Sequence, residues 1–160
     1  MQQLVECVPN FSEGRDLAKI STITAHIEAI PGITLLDVDP GADTNRTVVT
    51  FVGSIEAVED AAFQAIKSAG EVLDMRSHKG THARMGATDV CPFIPVSGVS
   101  MDDCISLSKR VGKRVGEDLS IPVYLYENSA QTPKRKNLAT IRSGEYEGLK
   151  DKLADPAWGP

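Results

Sequence analysis

The chain lacks the features that mark several large protein classes. Its three cysteines, Cys7, Cys91 and Cys104, are odd in number, far apart and without any C-x-x-C spacing. That argues against a disulfide framework or a zinc knuckle and for reduced thiols in a cytoplasmic protein. No apolar run approaches the roughly eighteen residues a membrane helix needs. The opening residues, Met1-Gln2-Gln3-Leu4-Val5-Glu6, hold no basic cluster followed by an apolar stretch, so no signal peptide is expected. The net charge of −5 disfavours a generic nucleic-acid binder. Asn45-Arg46-Thr47 matches a glycosylation sequon, which without secretion is coincidence.

What is present suits one domain. The 160 residues are 41% hydrophobic and 24% charged, an ordinary globular balance that needs no metal or disulfide to hold a core. Leu4 to Val8 reads as a strand stopped by Pro9. Leu17, Ile20, Ile23, Ile27 and Ile30 form a helical stripe, with Ser12 or Asp16 as N-cap and Pro31-Gly32 as the stop. His26 sits at the edge of that stripe as a partly exposed helix residue. Ile33–Asp39 and Arg46–Val52 read as strands around the turn at Pro40-Gly41. A second helix carries Ile55, Val58, Ala62, Ile66, Ala69 and Leu73 on one face. The run from Val90 to Val96 contains Pro92 and Pro95, which suit an edge or bulged strand. Ser100 with Asp102 and Asp103 starts a third helix, striped by Cys104, Leu107, Ser108, Val111, Val115 and Leu119. Its repeated Lys109-Arg110 and Lys113-Arg114 read as a solvated flank. Pro122 to Tyr126 reads as a further strand, and a polar, helical tail is broken near Ser143-Gly144.

The order β-α-β-β-α-β followed by α-β-α predicts an α+β protein. Its plan is a ferredoxin-like split β-α-β sandwich: a mixed sheet, helices on one face, and an α-β-α extension. The other face of that sheet must be hydrated or covered by something else.

Between the second helix and the apolar run lies Met75 to Asp89, which holds His78, His82, Arg76, Arg84, Lys79 and Asp89 within fifteen positions. A loop so rich in titratable groups is the candidate active site. His78 and His82 have the i, i+4 spacing of helix-borne metal ligands. However, Gly80 weakens a helix there, Arg76, Lys79 and Arg84 repel a cation, and no third ligand stands out, so no metal is expected. General acid–base chemistry by an imidazole is the better reading. Asp39, at a strand end before Pro40-Gly41, is placed either to orient such an imidazole or only to cap its turn.

Three blocks carry a resemblance. Glu6-Cys7-Val8-Pro9-Asn10-Phe11-Ser12-Glu13-Gly14 resembles the opening signature of the formiminotransferase domain family. Asp37-Val38-Asp39-Pro40-Gly41 with Thr44-Asn45-Arg46-Thr47-Val48 resembles its second block, and His82 through Pro95 its third. The resemblance is to the amino-terminal subdomain and covers residues 1–160. It implies a glutamate formimidoyltransferase in histidine degradation, with N-formiminoglutamate as donor and tetrahydrofolate as co-substrate. It implies His82 as the catalytic residue and Asp39 as an acidic site residue; Asn10 and Arg84 are candidates for holding substrate carboxylates. Where the family usually has proline after this histidine, the chain has Ala83, which loosens the loop. The family's transferase unit pairs two subdomains, so the expected partner is a carboxy-terminal subdomain or a second copy. No nucleic acid, membrane or metal is expected as a partner. Two other readings use the same residues: a non-catalytic module that dimerises and retains weak folate binding, and a glutamate formyltransferase.

Overall fold

The computed structural model describes residues 2–160. Its sheet is organised by two prolines. Strand β1 (Leu4–Cys7) and strand β2 (Asn10–Phe11) are one strand interrupted at Val8-Pro9, since both pair with β4 (Arg46–Gly53). Strand β5 (Thr88–Val90) and strand β6 (Phe93–Ser97) are likewise one strand broken at Cys91-Pro92, pairing with β2 and β1. Proline has no amide hydrogen to give the ladder, so each break falls where it sits. Strand β3 (Thr34–Gly41) pairs with the free side of β4. The composite strands therefore lie in the order β5/β6, β1/β2, β4, β3, which is the split β-α-β plan. As expected from its prolines, β5/β6 is an edge.

The expected mixed sheet is instead antiparallel at every pairing among the described residues. The reason is topological. The first strand and β3 would be parallel neighbours if adjacent, but β4 inserts between them and runs opposite to both. The strand expected at Pro122–Tyr126 is also not formed; the segment has no ladder partner. Pro122 brings no donor, and Pro92 and Pro95 thin the donors of the neighbouring edge. The segment packs beside α3 (Met101–Leu119) instead, close over Gly112, and borders an apolar cavity of about 400 Å³ with β5, Cys91 and α3.

Helices α1 (Leu17–Glu28), α2 (Ile55–Val72) and α3 cover one face of the sheet. Asp16, not Ser12, caps α1, and Ser100 with Asp103 forms a capping box on α3. Strict alternation along β4 sends Thr47, Val49 and Phe51 into the core and Arg46, Val48, Thr50 and Val52 to the opposite face. The core joins Val5, Phe11, Val49 and Phe51 of the sheet to Ile23, Ile27, Val58 and Leu107 of the helices, all without solvent exposure. Burial pushes the Cys7 thiol well above its ordinary range, so it behaves as a small neutral core side chain. The basic flank of α3 is more than solvated: Arg110 and Arg114 pair with Glu59, and Arg114 also with Asp60, on α2. In the tail, α4 (Leu138–Arg142) ends before Gly144 at φ 84°, and α5 (Leu149–Ala154) follows.

Among the described residues no helix covers the opposite face of the sheet. Ile94 is 40% and Val96 52% exposed there, beside Val52 and Glu6. The bare face anticipated from the element order is therefore present.

Phe51 is one of the largest fully buried side chains of the core, and its truncation to alanine is expected to destabilise the fold by about 3–5 kcal/mol. Urea denaturation checks this; a loss of less than about 1 kcal/mol would show that the core does not depend on it.

Candidate active site

The loop between α2 and β5 is held by the turn that joins β3 to β4. Asn45 in that turn adopts φ 51°, a left-handed conformation that asparagine tolerates better than most residues, and it is buried. Its side-chain oxygen accepts from the Gly14 amide at 2.9 Å, and its side-chain nitrogen donates to the Lys79 carbonyl at 3.1 Å. Its backbone carbonyl lies 2.8 Å from Nε2 of His78. The loop can come this close because Gly80 has no side chain: a Cβ there would meet the Thr44 carbonyl oxygen at 2.2 Å.

His78 and His82 do opposite jobs. Arg84 donates from Nε to Nδ1 of His78 at 2.9 Å. Arginine can only donate, so this Nδ1 is an acceptor, and the proton lies on Nε2, which donates to Asn45. His78 is thus a buried, neutral, structural imidazole. At His82 the assignment is reversed. Nε2 lies 2.7 Å from an Nη of Arg46 and must accept, so Nδ1 carries the proton and donates to the Ala83 carbonyl at 2.6 Å. His82 is partly exposed, and its accepting nitrogen is Nε2.

Arg84, expected at the substrate, is instead committed inside the protein. It is buried, and its five N–H groups go to His78 Nδ1, the His78 carbonyl, Glu145 and twice to Glu147. No donor remains for a ligand. The same contacts hold Glu145 at φ 51°, costly for glutamate, and so clasp the tail to the loop. Asp89 is buried too, and Arg142 of α4 pairs with it.

The remaining residues fall on the helix-free face. Asp39 and Asn10 both pair with Val48, so their side chains form one cross-strand row. Arg46, two residues from Val48 on β4, projects from the same face. Asp39 is exposed and makes no hydrogen bond to His82; the acceptor that orients the ring is the Ala83 carbonyl, not a carboxylate. Asn10 is partly exposed. The i, i+4 histidine pair does not converge, and among the described residues no three His, Cys, Asp or Glu side chains gather. No helix of the described residues is long and apolar enough to cross a membrane.

Comparison with known proteins meets this geometry. Residues 4–160 match the model of the formiminotransferase domain, N-terminal subdomain. The chain belongs to that family. It is 56% identical over 160 residues to a rat formimidoyltransferase-cyclodeaminase, covering all of this chain and 30% of that protein. It is 48% identical over its whole length to a glutamate formimidoyltransferase of Streptococcus pyogenes, and 47% over 159 residues to one of Thermoplasma acidophilum. It spans 54% and 52% of those two. The chain is therefore about half the length of the single-activity relatives and under a third of the bifunctional one.

The sequence pattern marked Asn45 as a turn and sequon residue and Arg46 as a strand residue, and gave neither a place in the site. Both lie in the second block, and strand alternation alone puts Arg46 on the face of Asp39.

The tail clasp carries a pH dependence. The Arg84 hydrogen bond lowers Glu147 from its ordinary 4.5 to about 2. A depressed carboxylate contributes stability above its unfolded value, and that contribution is lost as the pH falls from 4.5 towards 2. Wild type should therefore exceed Glu147→Gln in urea midpoint near neutrality, with the gap closing through that window. A gap as large at roughly pH 3 as at roughly pH 6 would contradict the clasp.

Proposed function

We propose that the chain is the amino-terminal, catalytic half of a glutamate formimidoyltransferase, acting on N-formiminoglutamate with tetrahydrofolate as acceptor in histidine breakdown. The observation that supports this most is His82: in a chain of this family, the third block's histidine presents Nε2 at the edge of the bare sheet face, with its Nδ1 proton fixed by a backbone carbonyl.

The chemistry asks for one mobile proton. The formimino group is an amidine, and attack by N5 of tetrahydrofolate on its carbon forms a C–N bond and leaves N5 with a proton to lose. His82 Nε2 takes that proton. The resulting imidazolium returns it to the glutamate nitrogen, which departs as the second C–N bond breaks. General acid–base work of this kind is worth about 10²–10⁴ in rate. Asp39, exposed in the row beside Arg46, faces the amidine, which is cationic near neutrality, and Asn10 in the same row supplies an amide for the substrate's polar groups. Arg84 is removed from substrate contact and acts through His78 on loop position. The carboxy-terminal subdomain or a second copy covers the sheet face that carries Ile94 and Val96, and so completes the cleft.

The exposed apolar face also supports a second reading, a non-catalytic module that dimerises through that face and retains weak folate binding. A formyl rather than formimino donor would use the same residues. Turnover assays with both donors separate these.

His82→Ala is expected to lose about 10²–10⁴ in transferase turnover while the urea midpoint stays near that of wild type. Near wild-type turnover in a steady-state assay would remove His82 from the mechanism, and the absence of turnover in wild type with either donor, with the carboxy-terminal half supplied, would favour the binding module.

A further inference from the structure

We propose that Arg46 is the residue that recognises a carboxylate of the donor amino acid and that, in doing so, it releases the Nε2 lone pair of His82. This rests on the transferase reading above and names a substrate contact within the same site.

Three observations carry it. First, the guanidinium of Arg46 is held by one hydrogen bond, to His82 Nε2 at 2.7 Å, and no carboxylate pairs with it among the described residues. Among the described residues its other N–H groups have no protein acceptor, and arginine presents these donors as a fork that matches a carboxylate. Second, the loop's two arginines are spent: all five donors of Arg84 are used within the protein, and Arg76 pairs with Asp74, while Lys79 carries no fork. Third, the one acceptor Arg46 does hold is the nitrogen that must work as a base. A lone pair engaged by a guanidinium is unavailable to take a proton. The free protein is therefore capped, and an anion that draws Arg46 away removes the cap.

Asp39 is the charged group nearest in strand register on the same face, with Asp37 and Glu6 in further rows. They disfavour an isolated anion. A donor that is cationic at its amidine and anionic at its carboxylates meets both signs: Asp39 faces the cation and Arg46 an anion. The pairing gives a reason to select an amidine of an acidic amino acid over a simple dicarboxylate.

The test is a calorimetric titration of wild type, Arg46→Gln and Arg46→Lys with N-formiminoglutamate and with its two monocarboxamide analogues. Wild type should bind the diacid about 10- to 100-fold more tightly than one of the amides, the range for a charge-assisted hydrogen bond. Arg46→Gln should lose that preference, and Arg46→Lys, which keeps the charge without the fork, should retain part of it. In turnover, Arg46→Gln should raise the donor's KM by a similar factor and change kcat far less, because Nε2 is then uncapped already. Three results overturn the proposal: wild type that does not bind the diacid or is indifferent to both amides, Arg46→Gln with undiminished preference, or Arg46→Gln with kcat as low as that of His82→Ala and KM unchanged. Binding is read without turnover, so a protein that prefers the diacid through Arg46 yet transfers nothing with the carboxy-terminal half supplied would refute the transferase reading and leave this contact standing.

Discussion

One polar chain, buried as far as Arg84, sets the position of the loop: Gly14 to Asn45, Asn45 to His78, His78 to Arg84, and Arg84 to the more exposed Glu145 and Glu147. It ties together the end of the first strand, the β3–β4 turn, the loop after α2 and the tail. Each link is directional, and each buried group in it has its partner. Removing one would leave a buried donor or acceptor unpaired, which costs about 1–3 kcal/mol and more for a charge. Such a network is satisfied in one arrangement only. His82, four residues beyond His78, is thereby fixed at the edge of the bare sheet face without being buried itself.

The division of labour between the two histidines follows from their arginine neighbours. Each imidazole accepts a hydrogen bond from one guanidinium and donates its proton to one backbone carbonyl, but through opposite nitrogens. The first pair is sealed inside the protein by the tail. The second stands at the surface, where Arg46 and His82 are both partly exposed. The same pairing is thus enclosed in one place and open to solvent in the other, and the difference is burial.

Much of the fold could be read from residue spacing. The stripe of isoleucines along α1, the alternation of β4 and the Ser100 cap each report local physics that tertiary packing left intact. The strand expected at Pro122 to Tyr126 did not form because pairing needs a partner edge with donors, a property of the neighbour that local pattern does not report. The mixed sheet failed for a related reason, since strand direction depends on which strand inserts between which. For the site, the histidine-rich loop was legible from composition, but the sheet face it borders was not. Nor were the roles of Arg84 and Arg46. Both are arginines in recognisable blocks, and only the acceptors within reach distinguish a buried clasp from a free guanidinium. Asn45 was missed because its importance lies in a left-handed turn and three partners distant in sequence.

The central claim is that Arg84 and Arg46 hold the two imidazoles in opposite tautomers. Long-range ¹⁵N–¹H correlation of the histidine ring nitrogens in the ligand-free protein near neutral pH tests it directly. The account predicts a proton on Nε2 of His78 with an acceptor Nδ1, and a proton on Nδ1 of His82 with an acceptor Nε2. Both rings in the same tautomer, or a proton on Nε2 of His82, would contradict it.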